Sequence, residues 1–519
     1  MLATLLSATL HGLQGRVVRV EVDVTRGLPG FRLVGLPDAA LQEARERVRG
    51  AVRNAGFEYP PSRITVNLAP ADVPKAGSAI DLAIALGLLI GSEQLVARER
   101  CACLGELALG GEVREVPGIL PMVLELGRLG VSRVIVPEAS VAEASLAPGV
   151  VVSGAATIGD AARILRGRAA RRNVAPRAEV VPQSLRSGPD PSSGGRRSDP
   201  DVDAVDLAEV RGQLAGRRAL EVALAGGHGL LLVGPPGCGK TLLARTIPGL
   251  LPPFEDAEAL MATVVASAAG LRPTRLVRER PFRAPHHTIS YAGMVGGGPR
   301  LGPGEVTMAH GGILFLDELP EFGRDVLEAL REPLEGGRVV IVRAGRAASL
   351  PASFQLVAAM NPCPCGGAGG PESACRCPEP TVRRYAARVS GPLRDRIDIR
   401  VDLPRVPPAR LVEGVEPETS GVVGPRIRRA RSVQIERQGR LNARLAGRAL
   451  RSACRMQPAI AARAVHLAEL EGFTARGTER LLRVARTIAD LAASEVVTAE
   501  HLEEAAAFRT LRPAIGLAS

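Results

Sequence analysis

The stretch Leu230-Leu-Leu-Val-Gly234-Pro235-Pro236-Gly237-Cys238-Gly239-Lys240-Thr241-Leu-Leu-Ala decides the fold of this 519-residue chain. One apolar run leads into GxxxxGKT and a second leads out of it. Strand, turn and helix in that order are the setting in which the motif holds nucleotide phosphates. Its glycines let backbone N–H groups curl around the phosphates, with the positive end of a helix behind them. Lys240 is a compact charge able to sit between the β- and γ-phosphates, where arginine's planar fork is bulkier. Thr241 offers a hydroxyl to Mg²⁺. Composition sharpens the point, because of 66 basic residues only Lys75 and Lys240 are lysines. A chain that uses arginine almost everywhere keeps lysine in this loop. ATP and Mg²⁺ are therefore the expected ligands, held along Gly234 to Thr241.

Farther along, Gly312-Ile-Leu-Phe-Leu-Asp317-Glu318 reads as a strand ending in two carboxylates. After a phosphate loop, Asp317 belongs beside Mg²⁺ and Glu318 where it can polarise an attacking water. A third strand, Ser353-Phe-Gln-Leu-Val-Ala-Ala-Met360-Asn361, ends in an amide. It resembles the sensor-1 strand of ring ATPases of the AAA+ class, which helps to position that water. Ser390-Gly-Pro-Leu-Arg394-Asp-Arg396-Ile-Asp398 resembles the arginine-finger element of that class, with Arg396 as the finger and Arg394 in competition. Phe473-Thr-Ala-Arg476-Gly-Thr-Glu-Arg480 resembles the start of a lid helix, with Arg476 at the sensor-2 position.

The segments Asp206-Leu-Ala-Glu-Val-Arg-Gly212-Gln, Pro281-Phe-Arg-Ala-Pro-His-His287, Pro303-Gly-Glu-Val-Thr-Met-Ala-His310, Asn361-Pro-Cys-Pro-Cys-Gly and Val484-Ala-Arg-Thr-Ile-Ala-Asp490 resemble the ComM/YifB family of magnesium-chelatase-like AAA+ proteins. The likeness spans nearly the whole chain outside residues 166–203. It implies a hexameric ring that hydrolyses ATP and acts on single-stranded or branched DNA, as a helicase or in branch migration during natural transformation. It also implies that two insertions face a central pore, residues 281–305 and the hairpin-like 337–352. On the second, Arg343 and Arg346 are the expected phosphate contacts. Two other readings stay open, a metal-insertion motor of the chelatase kind and a ring that remodels protein partners. His286 and His287 lack both helical spacing and a third ligand, so they are not read as a metal pair.

Cys363-Pro-Cys365 and Cys375-Arg-Cys377 could close a four-thiolate site for one structural Zn²⁺, with unligated or redox-active thiols as the alternative. Cys101, Cys103, Cys238 and Cys454 read as packing residues. Near the N-terminus, Asp72-Val-Pro-Lys75-Ala-Gly77-Ser78-Ala79-Ile-Asp81 and Leu104-Gly-Glu-Leu-Ala-Leu-Gly-Gly111 resemble the proteolytic domain of Lon. The nucleophile position falls on Ala79 and the lysine position near Leu120, so the resemblance implies a Lon-like fold without its Ser–Lys dyad.

The expected fold class is α/β, and the chain divides into four parts. Residues 1–165 form the Lon-like block, and 166–203 a disordered Arg/Pro/Ser/Gly-rich linker. Residues 204–403 form the AAA+ core, and 421–519 a helical lid with a cap at Thr498. Net charge is +12, and eight arginines against Glu179 and Asp190 place half of it in residues 166–197. Aromatics are too few for a base-stacking platform. No apolar run approaches a membrane span, and the N-terminal stretch lacks the pattern of a signal peptide. A cytoplasmic protein with reduced thiols is the expectation.

Overall fold

The computed structural model describes residues 1–71, 75, 77–167, 205–298, 301–343, 346–368, 375–407 and 417–509. Most of the expected linker, from residue 168 to 203, lies outside them, as do Asp72 to Pro74 and Ala76 of the Lon-like motif.

Five strands build the sheet that carries the phosphate loop: β1 (Leu230–Val233), β2 (Phe282–Arg283), β3 (Ile313–Leu316), β4 (Gln355–Met360) and β5 (Ile399–Asp402). They lie in the order β2-β3-β4-β1-β5, and every neighbouring pair is parallel. Parallel sheets need cover on both faces, which is why β1, β3 and β4 are apolar at nearly every position. Successive side chains point to opposite faces, and each set has its own core. Leu231, Val233, Leu314, Leu316, Leu356 and Ala358 pack with one cluster, whereas Leu230, Leu232, Ile313, Phe315, Val357 and Ala359 pack with another.

The second cluster is closed by the helix Leu214–Gly226 and by the C-terminal helices, among which Ala475–Leu491 contributes Leu481, Val484 and Ile488. The Ala/Leu/Arg-rich pattern over 426–448 predicts a single helix there, and the structure breaks it. A first helix runs Ser420–Gln438 and stops where Gly439 turns left-handed at φ 69°, followed by a short 3₁₀ turn and a new helix, Gly447–Cys454. A glycine in that conformation ends a helix at little cost. The helix Ala499–Ala507 begins at Thr498 as expected, with the Thr498 N–H donating to His501 Nδ1 at 3.1 Å.

The first cluster is shared with the N-terminal block. A seven-stranded mixed sheet runs in the order Gly30–Val34, Arg63–Ala69, Gln14–Thr25, Leu2–His11, Ala102–Cys103, Arg133–Pro137 and Val151–Ala155. From this block, Ala8, Leu10, Leu120 and Met122 join Val264, Val265 and Ala268 in one continuous core. Polar contacts secure the seam. The Gly118 N–H donates to Ser267 O at 3.0 Å, the Ser267 hydroxyl to Glu143 Oε1 at 2.5 Å, and Arg272 pairs with Glu115. No helix among the described residues is long and apolar enough to cross a membrane.

Candidate functional site

β1 delivers the phosphate loop to the C-terminal edge of the sheet, between the ends of β4 and β5. Gly237 and Gly239 adopt φ of 74° and 93°, and a Cβ on either would meet nothing within 4 Å. Conformation, not crowding, requires glycine there. Lys240 begins the helix Lys240–Arg245, and its ammonium is folded back into the loop. It donates to Gly234 O at 2.7 Å, Pro235 O at 2.9 Å and Asn361 Oδ1 at 3.1 Å. From outside, Gln213 Nε2 donates to Cys238 O at 2.9 Å and to Pro404 O at 2.8 Å, bracing the turn.

Beside the loop, β3 ends in the two carboxylates. The Thr241 hydroxyl donates to Asp317 Oδ2 at 2.7 Å, and Asp317 Oδ1 accepts the Glu318 N–H at 2.9 Å. A hydroxyl and a carboxylate in contact, both on rigid elements, are the hard oxygen donors that suit Mg²⁺. Glu318 is strained into the left-handed region at φ 52°, and its side chain is 56% exposed. Strain of this kind in a non-glycine residue gathers at functional sites. Burial first, then the charges of Glu321 and Glu318, push the nearby Tyr385 phenol up to about 12. Lys240, Thr241, Asp317, Glu318 and Asn361 thus meet at the ends of three adjacent strands. Such a cluster can hold a metal-bound polyphosphate and activate water against it.

Arg396 and Arg476 are carried by two other segments of the chain. Arg396 follows the short helix Gly391–Arg394; it pairs with Glu335 and donates to Pro392 O at 2.5 Å. Its guanidinium is held below the usual range by burial and then by repulsion from Arg331, Arg476 and Arg480. Those three arginines therefore lie near enough to act on Arg396 through their charge. Arg476 stands exposed in the first turn of Ala475–Leu491, while Arg480 is buried and lies 3.3 Å from Asp395. Asp398 reaches His228 Nδ1 at 3.0 Å, and His228 Nε2 lies 2.8 Å from the Thr487 hydroxyl. Asp395 and Asp398 are thereby tied to the helix Ala475–Leu491, the first through Arg480 and the second through His228. Arg394 is exposed at the end of its helix.

The insertion 337–352 is the expected hairpin, Arg338–Arg343 paired antiparallel with Arg346–Pro351. Arg343 and Arg346 face each other across its last rung. Val339, Ile341, Ala348 and Leu350 are buried, whereas Val340 and Val342 are exposed. The buried face rests on the first turn of the N-terminal block, where His11 Nε2 lies 3.1 Å from Ala347 O.

The four cysteines converge. Cys363, Cys365, Cys375 and Cys377 place their sulfurs within 4.8 Å of one another, with Cys363–Cys365 at 3.4 Å and Cys363–Cys375 at 3.6 Å. Tetrahedral thiolates around Zn²⁺ at ~2.3 Å stand about 3.8 Å apart, so the set fits that ion. The Gly367 N–H, and then Cys377, hold the Cys365 thiol down at about 6. Gly366 lets this turn lie on the phosphate loop, since a Cβ there would come within 2.3 Å of Pro236 Cδ. Cys101, Cys103, Cys238 and Cys454 are buried packing residues, as expected.

Comparison with known proteins identifies the family. Residues 206–411 match "Magnesium chelatase, subunit ChlI", residues 20–140 match "Subunit ChlI of Mg-chelatase", and residues 417–509 match "Magnesium chelatase, subunit ChlI C-terminal". The chain is 42% identical to YifB of Escherichia coli (strain K12) over 512 residues, covering 96% of this chain and 95% of that one. It is 40% identical to competence protein ComM of Haemophilus influenzae over 518 residues, 98% of each. The chain belongs to the ComM/YifB family of magnesium-chelatase-like AAA+ proteins. A Lon protease of Trichlorobacter lovleyi is 26% identical over 131 residues, 24% of this chain and 16% of that one.

In this ComM/YifB chain, Ala79, read at the nucleophile position, and Leu120, near the lysine position, are both buried. Neighbouring Ser78 donates to Glu106 and is buried too. The buried Lys75 donates to Pro70 O. Sequence motifs passed over two site neighbours, His287 at Glu318 and Glu335 at Arg396, because each comes from a different element and only tertiary register brings it there.

Proposed function

We propose that this chain is the subunit of an ATP-hydrolysing ring, hexameric as the family resemblance implies, that moves along or remodels single-stranded or branched DNA. The observation that carries the reading is the convergence of Lys240, Thr241, Asp317, Glu318 and Asn361 on one sheet edge. Gly234 to Gly239 and Lys240 would hold the phosphates, and Thr241 and Asp317 the Mg²⁺, which offsets charge on the transferring phosphoryl group. Glu318 takes the proton of the attacking water, and Asn361 orients that water. Arg396 is the finger offered to the nucleotide of the neighbouring copy, with Arg394 as the alternative, and Arg476 is the sensor-2 arginine.

DNA is assigned to the hairpin. Like charges directly opposite across two strands destabilise a hairpin, so Arg343 against Arg346 makes sense where an anion such as a phosphate lies between them. The name of the Haemophilus influenzae relative, a competence protein, supports a role in competence, and recombination during natural transformation is the step to which we assign it. The N-terminal block is read as Lon-like and without peptidase activity, and the cysteine quartet as one structural Zn²⁺ site.

The matching family's own name favours a second reading, a motor for metal insertion. ATPase assays on the full chain separate the two. Stimulation by forked or four-way DNA, weakening with salt, supports the DNA motor; stimulation by a porphyrin and not by DNA would transfer the protein to the second reading.

A further inference from the structure

The carboxylate of Glu318 does not stand alone. β2 pairs with β3 in the register Phe282↔Ile313 and Arg283↔Leu314. Carrying that register forward past the ends of both strands sets His287 against Glu318. Nδ1 of His287 lies 3.6 Å from Glu318 Oε2. The strand that delivers it is anchored at both ends of its short length. Phe282 stacks on Phe315 with centroids 5.8 Å apart, and Arg283 forms a two-pronged pair with Glu305 at 2.7 and 2.8 Å.

The imidazole itself is held on two sides. It meets Phe322 edge-on with centroids 6.4 Å apart, and His286 at 4.1 Å. His286 is in turn fixed by its Nδ1, 2.9 Å from the Thr288 hydroxyl. Phe322 is buried and follows Glu318 through a single 3₁₀ turn, Leu319–Glu321. The ring therefore has one fixed edge facing a solvent-exposed carboxylate. A closure of a few tenths of an ångström turns the 3.6 Å approach into a hydrogen bond.

We propose that His287 is a positioning residue for Glu318: its ring N–H holds the carboxylate in the orientation from which that group takes the proton of the attacking water. The inference rests on the reading of Glu318 given above and adds a partner from a different strand. Catalytic hydrogen bonds that are long without substrate commonly tighten in the working complex. A carboxylate on a strained, exposed residue has most to gain from an outside donor.

The competing role, simple packing of an aromatic ring on Phe322, predicts the opposite pattern of rescue. Full-length variants His287→Ala, His287→Phe and His287→Gln are to be compared by steady-state ATPase, by affinity for a fluorescent ATP analogue, and in the Glu318→Gln background by single-turnover hydrolysis. A positioning role predicts that Ala and Phe lower kcat about 10- to 100-fold, the range carried by outer partners of a reactive group. KM and nucleotide affinity stay unchanged, and Gln, which keeps an N–H donor, restores most of the rate. In the Glu318→Gln background the same substitutions change nothing further. Full activity in His287→Phe with a slow His287→Gln would overturn the proposal in favour of packing. Equal losses in both backgrounds would overturn it by showing that His287 acts elsewhere than through Glu318. Near-normal turnover of Glu318→Gln alone defeats the reading of Glu318 itself, which is a separate result.

Discussion

Lys240 donates to three oxygens at once, two loop carbonyls and the Asn361 amide. A point charge with three donors can leave those oxygens for a phosphate and return, whereas a guanidinium needs a planar space that the loop does not offer. Lys240→Arg is therefore expected to abolish nucleotide binding, which titration with a fluorescent ATP analogue will register. Glu318→Gln should have a different effect. It preserves shape and leaves Asp317 and Thr241 in contact, so nucleotide is still bound while turnover falls by ~10²–10⁴. Measuring both affinity and rate separates the two residues; retained turnover in Glu318→Gln would remove Glu318 from its role. At this scale the phosphate loop, Asp317, Glu318 and Asn361 were legible in the sequence, because each motif is local and ends a recognisable strand. His287 and Glu335 were not. Their partners lie in other elements, and nothing in a one-dimensional pattern records that β2 runs in register with β3.

The hairpin Arg338–Arg343/Arg346–Pro351 is the element with the clearest division of labour. Its buried side rests on the first turn of the N-terminal block, and its two arginines stand opposite each other on the last rung. Replacing Arg343 and Arg346 by alanine should remove stimulation of the ATPase by DNA while the fold is kept. For every arginine–phosphate pair this removes, the log–log salt dependence of binding should flatten by ~0.7 for single strands or ~0.9 for duplex. Salt titrations of parent and variant measure this directly, and an unchanged slope would assign the phosphates to other residues. The cysteine turn is the second such element. Protein purified under reducing conditions should carry about one Zn per chain, which joint Cys363→Ser and Cys375→Ser substitution removes. Because Gly366 lies against Pro236, that removal should also weaken nucleotide binding; a metal-free, fully folded preparation would exclude the site. The hairpin could be read from its turn and alternating residues. The break at Gly439 could not, because one glycine in an arginine-rich helical run does not announce that it will adopt φ 69°.

For the whole molecule, the arginines around Arg396 matter most. Arg476 and Arg480 both act on Arg396 through their charge, and Asp395 and Asp398 beside it pair with Arg480 and with His228. In the proposed ring each copy would carry two half-sites. Lys240→Ala and Arg396→Ala should each be inactive alone and regain ATPase activity when mixed, since some junctions in a mixed ring join two intact halves. The shared core of the N-terminal block and the sheet was also hidden from the sequence, which suggested separate units on either side of an arginine-rich stretch. Apolar patterning shows which faces are buried but not what buries them. The central claim, ATP hydrolysis driven through DNA contact at the hairpin, is tested most directly by one comparison. The ATPase rate of the full chain and of its Arg343→Ala/Arg346→Ala variant is measured with and without a four-way DNA junction, across salt. The account predicts stimulation of the parent by the junction, declining with salt, and a variant with the same basal rate and no stimulation. A parent indifferent to DNA, or a variant stimulated as strongly as the parent, would contradict it.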